Sequence, residues 1–289
     1  MQTETRERST MRLTRRGRVA MTVTGAVVAA TAVAVPLALA REDGSGRTLT
    51  IPEGWRSGQV YEAVDKALDV PAGSTKKAAR TAHLKLPGDA GGNAEGYLFP
   101  ATYPLDDEAT PQSVLAYMVD TANKRFGGSG TTAGAGSSEG SGTTAGAERD
   151  AVNPYQRVII ASIVQAEADN KEDMGRVARV IYNRLDHGMP LQMDSTINYA
   201  LGRSTLDTTH DDTRINSPYN TYARKGLPPT PIGNPGEEAM RAATRPTVGD
   251  WLYFVTVKPG DTRFTADLRE QEKNVAEFNE IQAKARKDG

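Results

Sequence analysis

The chain has 289 residues, of which 38% are hydrophobic, a formal net charge of −1 and no cysteine, which excludes disulfide frameworks, thiol nucleophiles and thiolate metal sites. Residues 1–18 carry six arginines against two glutamates, so the rest of the chain is mildly acidic. An acidic body has no electrostatic field that would hold a phosphate backbone, which argues against nucleic-acid binding.

An uncharged stretch of 22 residues, 19–40, follows the basic head at 1–18. About 20 apolar residues suffice to cross a bilayer, and arginines beside such a span stay on the cytoplasmic side. The pattern predicts a single-pass cell-membrane protein with a cytoplasmic N-terminus, a linker at 41–47 and an extracytoplasmic body. The alternative is a cleaved signal peptide, because Pro36 and the triplet at 38–40 resemble a cleavage site.

A first small folded unit is predicted at 48–126. It opens with an alternating, strand-like stretch at 48–51. Ser57 is predicted as the N-cap of a helix with a narrow apolar stripe, formed by Val60, Val64 and Leu68. A second helix is predicted to start at Pro111, with Thr110 as its cap.

The segment at 127–149 is dominated by Gly, Ser, Thr and Ala. The octapeptide Gly-Ser-Gly-Thr-Thr-Ala-Gly-Ala occurs at 128–135 and again at 140–147. Such a composition buries little apolar surface, so the segment is predicted to be a flexible insertion grown by duplication.

A second unit, 150–289, begins with a well-marked helix. Asn153 is predicted to cap it, Pro154 occupies the first helical position, and Gln156 stands where the reciprocal arm of a capping box belongs. The residues at 158–164 are apolar on almost every side of the helix axis, which is typical of a helix in the centre of a domain.

The remainder of this unit alternates helices and strands without a repeat. Asn170 is predicted to start another helix, and the stretch 191–235 is interpreted as mostly irregular chain, long enough to be a binding surface. Asn234 is predicted to cap a short helix. A strand at 251–257 and a terminal helix complete the prediction.

Glu167 is the candidate catalytic residue. On a helix it shares one face with Ile160, Ile163 and Val164. Desolvation among aliphatic side chains raises the pKa of a carboxyl group and so keeps it protonated as a general acid, and the negative end of the helix dipole acts in the same direction. The alternative is that Glu167 emerges into water and pairs with Lys171.

Other kinds of catalytic site find little support. The three histidines, at 83, 187 and 210, have no ligand-pair spacing, and there is no nucleophile elbow or phosphate-binding glycine loop. We therefore expect no metal and no cofactor.

Nine blocks of sequence, in order along the chain, resemble the YceG-like family of endolytic murein transglycosylases. They are EGYLFPATY at 95–103, ASIVQAE at 161–167, VIYNRL at 180–185, MPLQMDST at 189–196, SPYNTY at 217–222, GLPP at 226–229, PI at 231–232, NPG at 234–236 and LYFV at 252–255.

This resemblance implies an α+β fold with three parts: a transmembrane anchor, a small LysM-like βααβ subdomain at 48–126 and a mixed α/β catalytic subdomain at 150–289. It also implies a membrane-anchored lytic transglycosylase that acts in cell-wall assembly. Its partners would be peptidoglycan glycan strands and, in addition, cell-wall synthesis proteins. The catalytic glutamate of the family is matched by Glu167.

Lytic transglycosylation needs only one carboxyl group. The N-acetylmuramic acid 6-hydroxyl attacks its own anomeric carbon and leaves a 1,6-anhydro end, so one residue acts first as acid and then as base. Hydrolytic glycosidases need two carboxyl groups, and Asp194 is the candidate for a second one. A hydrolytic muramidase and a non-catalytic wall-binding scaffold therefore remain alternatives.

Polar and aromatic residues of the matched blocks are suited to a sugar groove. The predicted substrate-binding set is Gln192, Asp194, Thr196, Tyr219, Asn220, Thr221 and Tyr222. Asn, Asp and Thr also stabilise loops locally, so a scaffolding role is the alternative for them.

Overall fold

The computed structural model describes residues 47–128, 152–168, 170–203 and 208–288. The predicted head and membrane span precede this part of the chain, and the Gly/Ser/Thr/Ala-rich insertion falls almost wholly into the gap after residue 128. Within the described ranges, no helix is both long enough and apolar enough to cross a bilayer.

The N-terminal unit has the element order β-α-α-β-α. Its two strands pair antiparallel, with the buried side chains of Leu49 and Tyr103 opposite each other. The three helices pack against one another beside this pair of strands. The elements are β1 (Arg47–Thr50), α1 (Ser57–Ala67), α2 (Ser74–Thr81), β2 (Thr102–Leu105) and α3 (Pro111–Gly128).

Helix α1 has Arg56 as its N-cap, so the prediction of Ser57 as the cap is wrong by one residue. Arg56 has the extended backbone of a cap residue, and its N–H donates to the side-chain oxygen of Gln59 at 3.0 Å. Ser57 is the first helical residue, and its N–H donates to the buried carboxylate of Glu95 at 2.9 Å. The first turn of α1 is therefore stabilised by a group distant in sequence.

The C-terminal unit combines helices with a β-hairpin. Strand β3 confirms the predicted strand to within two residues, and it pairs antiparallel with β4, which the sequence pattern did not indicate. The last helix packs on this hairpin. The elements are α4 (Pro154–Glu167), α5 (Lys171–Asp186), α6 (Asp194–Ala200), α7 (Glu237–Thr244), β3 (Tyr253–Lys258), β4 (Asp261–Thr265) and α8 (Leu268–Asp288).

Helix α4 is the centre of this unit, as predicted. Its capping box is complete: the N–H of Gln156 donates to Oδ1 of Asn153 at 2.8 Å, and the N–H of Asn153 donates back to Oε1 of Gln156 at 3.0 Å. All seven residues at 158–164 are buried, and α4 packs against α5, α6 and α7. The apolar pattern and the caps together determine this helix.

Of two predictions about the chain after α5, one is confirmed and one is wrong. The described part of the stretch 191–235 is mostly irregular, as predicted, although it contains α6, a short helix whose Ile197 is fully buried and which was not predicted. Asn234 does not cap a helix, because α7 begins at Glu237 with Gly236 as its N-cap. Tertiary contacts determine where α6 forms and where α7 begins, and a local sequence pattern does not contain this information.

The two units share one hydrophobic core, which runs without interruption from β1 to the hairpin. Asn234 lies at the junction, where its side chain accepts from the N–H of Leu98 and donates to the carbonyl of Trp55, each at 2.8 Å. At Gly96, which has φ +86°, an added Cβ would lie 2.6 Å from Pro231, so only glycine allows this approach. The chain thus forms one mixed α+β body.

Candidate active site

Glu167 is the last residue of α4, and only 3% of it is exposed. The side chains of Ile160, Ile163 and Val164, which share its face of the helix, are fully buried. The interpretation in which Glu167 emerges into water is therefore wrong. A charged carboxylate is rarely buried without hydrogen-bond donors or opposite charges beside it. The groups around Glu167 therefore determine its chemistry.

One of these partners is the N–H of Ser195, which donates to Oε1 of Glu167 at 3.1 Å. Ser195 lies in the first turn of α6, so the carboxyl group lies between the C-terminal end of α4 and the N-terminal end of α6. The first end disfavours a negative charge and the second favours it. A buried carboxyl group in this position, with a backbone donor at hydrogen-bond distance, suits a residue that gives and then takes a proton.

Asp194 and Tyr222 lie in the same cluster. The hydroxyl of Tyr222 donates to Oδ1 of Asp194, a residue that is 8% exposed. Burial raises the pKa of the Tyr222 hydroxyl above its ordinary value, and the negative charges of Asp194 and Glu167 raise it further. Tyr222 thus remains a protonated donor at neutral pH.

Arg184, a buried arginine on α5, fixes the chain that leads to Asp194. Its guanidinium donates to the carbonyls of Leu252 at 2.6 Å, Pro190 at 3.2 Å and Leu191 at 2.7 Å, and to the side-chain oxygen of Gln192 at 3.1 Å. Sequence reasoning included it in a matched block but assigned it no role. A planar fork with five donors is suited to holding several carbonyls at once.

Gln192 is one of two non-glycine residues with positive φ in the described ranges, at +54°. Its N–H donates to the carbonyl of Thr221 at 3.0 Å, which joins the chain before α6 to the later part of the loop. A strained backbone of this kind persists only where the surroundings hold it, and here Arg184 and Thr221 do so.

Thr196 and Thr221 are hydrogen-bonded to each other and to the backbone of Met193, which precedes α6. Their hydroxyl oxygens are 2.9 Å apart, Thr196 donates to the carbonyl of Met193 at 2.7 Å, and Thr221 accepts from the N–H of Met193 at 3.0 Å. Both side chains are almost completely buried. Their polar groups are thus directed into the protein.

Asn220 is completely buried and makes four hydrogen bonds within the loop. Its amide group donates to the carbonyls of Thr213 at 3.0 Å and Ile215 at 2.8 Å. Its side-chain oxygen accepts from the N–H groups of Tyr222 at 3.0 Å and Ala223 at 3.2 Å. This is the full capacity of an amide side chain, so Asn220 acts as a scaffold for Tyr222.

Tyr219 lies at the edge of the same region, partly exposed. Its ring centroid is 4.9 Å from that of Tyr199 on α6, and its hydroxyl oxygen is 2.8 Å from that of Thr230. The structure therefore brings Glu167, Asp194 and Tyr222 together, and places Gln192 and Tyr219 on the surrounding loop.

Comparisons with known proteins agree with this architecture. The sequence profile of the YceG-like family matches residues 28–277. A protein of Bacillus subtilis named endolytic murein transglycosylase is 36% identical over 180 residues, which is 62% of this chain and 46% of that protein. A protein of the same name from Streptococcus pneumoniae serotype 2 is 32% identical over 257 residues, 80% of this chain and 44% of that protein.

A solved structure shows the same fold. The crystal structure of a yceG-like protein from Listeria monocytogenes superposes with a TM-score of 0.64 at 28% identity, and the match covers 79% of this chain and 76% of that one. The chain spans less than half the length of the curated relatives that it matches. It belongs to the YceG-like family.

Proposed function

We propose that this chain is an endolytic murein transglycosylase that cuts the MurNAc-GlcNAc bond within peptidoglycan glycan strands. The observation that carries the proposal is the burial of Glu167 at the end of α4, against the first turn of α6. The names of the curated relatives support the same assignment.

In the proposed reaction Glu167 performs both proton transfers. As an acid it protonates the glycosidic oxygen while the bond from that oxygen to the anomeric carbon breaks. The 6-hydroxyl of the same N-acetylmuramic acid then forms a bond to the anomeric carbon, and its proton returns to the carboxylate of Glu167. The products are a 1,6-anhydro end and a free 4-hydroxyl, and no water is consumed.

The neighbouring residues divide into two groups. We propose that Asp194, Tyr222, Gln192 and Tyr219 contact the sugar, because they surround Glu167 or lie at the accessible edge of its loop. Thr196, Asn220 and Thr221 direct their hydrogen bonds into the protein, so we assign them to the construction of the loop.

The remaining parts of the chain are proposed to bring this site to its substrate. The uncharged stretch at 19–40 would anchor the protein in the cell membrane with the body outside. The β-α-α-β order of the N-terminal unit is consistent with a LysM-like subdomain at 48–126, ahead of the catalytic subdomain at 150–289. Cell-wall synthesis proteins are proposed partners, because the activity would act during wall assembly and could terminate strand elongation.

A hydrolytic muramidase is the second candidate function. The observation in its favour is that Asp194 lies in the same cluster as Glu167, since both charges act on the Tyr222 hydroxyl. In a hydrolase Asp194 would be the second carboxylate, serving as nucleophile or activating water.

Mass analysis of the ends released from purified glycan strands separates these functions. The transglycosylase predicts products with 1,6-anhydro ends, each lighter by one water than the reducing ends that a hydrolase would give. A chain that binds glycan without releasing any product would favour a wall-binding scaffold and contradict the proposal.

A further inference from the structure

A second buried carboxylate, Glu95, lies at the junction of the two units and is 4% exposed. Burial raises its pKa, and the hydrogen bonds that it accepts act in the opposite direction. One oxygen accepts from the N–H of Ser57 in α1 at 2.9 Å, and the other accepts from the hydroxyl of Tyr199 in α6 at 3.1 Å. Glu95 thus connects the first turn of α1 to α6.

Arg56 and Tyr219 also contact the ring of Tyr199. The guanidinium of Arg56 lies 5.0 Å from its ring centroid and also donates to the carbonyl of Arg203, just after α6, at 2.9 Å. The ring of Tyr219 packs against that of Tyr199 at 4.9 Å. Residues of the N-terminal unit therefore contact Tyr199 within α6 and also the chain just after the C-terminal end of this helix.

The other end of α6 holds Glu167. Ser195 and Tyr199 are four residues apart, so they lie on one face of this two-turn helix, about 5–6 Å from each other. The N–H of Ser195 donates to Glu167, and the hydroxyl of Tyr199 donates to Glu95. One rigid helix thus carries a donor for each of the two buried carboxylates.

We propose that Glu95 is a positioning residue for Glu167, acting through Tyr199 and α6. The proposal rests on the proposed function, in which Glu167 transfers the proton. A displacement of α6 moves the Ser195 N–H away from Glu167 and moves Asp194 with it. The N-terminal unit thereby takes part in setting the geometry of proton transfer.

A merely structural role for Glu95 predicts something else. In that case the contacts with Ser57 and Tyr199 stabilise the junction, and their loss lowers the unfolding temperature without changing turnover below it. In a positioning role, loss of the Tyr199 contact lowers kcat and leaves KM unchanged, because a displacement near the reacting atoms slows the chemical step.

The test uses the 289-residue chain and soluble glycan oligomers of defined length, with anhydro ends counted by mass. Tyr199→Phe removes the hydroxyl that donates to Glu95 and that is also hydrogen-bonded to Thr230, and the double variant with Glu95→Ala separates these two contacts. Tyr103→Phe is the matched control, since its buried hydroxyl donates to the Phe99 carbonyl at 2.5 Å in the N-terminal unit, away from α6. Glu95→Ala and the double variant Glu95→Ala/Tyr199→Phe complete a cycle.

We expect Tyr199→Phe to lower kcat about tenfold at unchanged KM, whereas Tyr103→Phe keeps the wild-type kcat. Glu95→Ala should lower kcat at least as much as Tyr199→Phe, and the double variant no further than Glu95→Ala. Wild-type kcat in Tyr199→Phe, an equal loss in Tyr103→Phe, or losses that multiply in the double variant would overturn the proposal.

Two further outcomes are distinguishable. If Glu95→Ala does not fold, the comparison of Tyr199→Phe with Tyr103→Phe decides by itself. If the wild-type chain releases no anhydro ends at all, the proposed function fails, and with it the positioning role, whereas an active wild type with an unaffected Tyr199→Phe variant contradicts only the positioning role.

Discussion

Helix α4 and the loop after α5 meet at Glu167, but different forces stabilise them. α4 is surrounded by aliphatic side chains, and its interactions are non-directional packing. The described part of the stretch 191–235 that lies outside α6 is stabilised by buried polar groups, among them Asn220 and Thr221, whose hydrogen bonds have fixed partners. A change in the helix should therefore have a graded cost, whereas a change in the loop removes several partly buried hydrogen bonds at once.

The largest effect is expected at Asn220. Asn220→Ala removes the side-chain partner of the Thr213 carbonyl and of the N–H groups of Tyr222 and Ala223. It also removes one of the two donors to the Ile215 carbonyl, which keeps the Ser217 N–H. We expect a loss of about 3 kcal/mol in the free energy of unfolding, measured by denaturant titration. Turnover should fall as well, because Tyr222 loses its support.

The control for this change is Asn123→Ala. The side chain of Asn123 donates to the carbonyl of Lys85 at an exposed site on α3. Its loss should change the free energy of unfolding by about 0.5 kcal/mol or less. Equal losses in the two variants would contradict the scaffolding role of Asn220.

A smaller effect is expected in α4. Ile159→Val removes one methyl group from a side chain that is 3% exposed, and the transfer and cavity terms together predict about 1 kcal/mol of destabilisation. Turnover at temperatures well below unfolding should be retained. If this variant destabilises the chain more than Asn220→Ala does, the distinction between the apolar helix and the polar loop is wrong.

The smallest effect concerns the pH dependence of stability at the junction. Burial raises the pKa of Glu95 above its ordinary value of 4.5, so the folded protein binds this proton more tightly than the unfolded chain does. The contribution of Glu95 to stability is therefore fully present below that value and is lost as pH rises through the higher pKa of the folded state. A glutamine at this position has no such dependence, while it keeps an acceptor for the Ser57 N–H.

We accordingly expect the unfolding temperature of Glu95→Gln, relative to that of the wild type, to be higher at pH 7 than at pH 4. Thermal unfolding of both proteins across this range measures the difference. A constant or decreasing difference would mean that the ionised form of Glu95 is compensated in full at the junction.

Much of α4 and its carboxylate could be predicted from sequence. The capping box at Asn153 and Gln156 and the apolar run after it are local signals, and the spacing of Glu167 from Ile160 and Ile163 indicated a buried acid. What the sequence could not supply is the partner: the Ser195 N–H comes from a helix 28 residues away along the chain.

The loop shows why the rest could not be predicted. Asn and Thr side chains suit sugar binding and loop construction equally well, and only the fold shows that Asn220, Thr221 and Thr196 point inward. Asn234 similarly has the composition of a helix cap but is used to join the two units. Strand β4 was missed because its residues, Asp-Thr-Arg-Phe-Thr, lack an alternating apolar pattern.

The most direct test of the account is Glu167→Gln in the 289-residue chain, with the released glycan ends identified by mass. The amide keeps the shape of the side chain and an acceptor for the Ser195 N–H, but it cannot give up and take back a proton. We predict no 1,6-anhydro ends and an unfolding temperature close to that of the wild type. Release of anhydro ends by this variant at the wild-type rate would contradict the assignment of Glu167 as the acid and base.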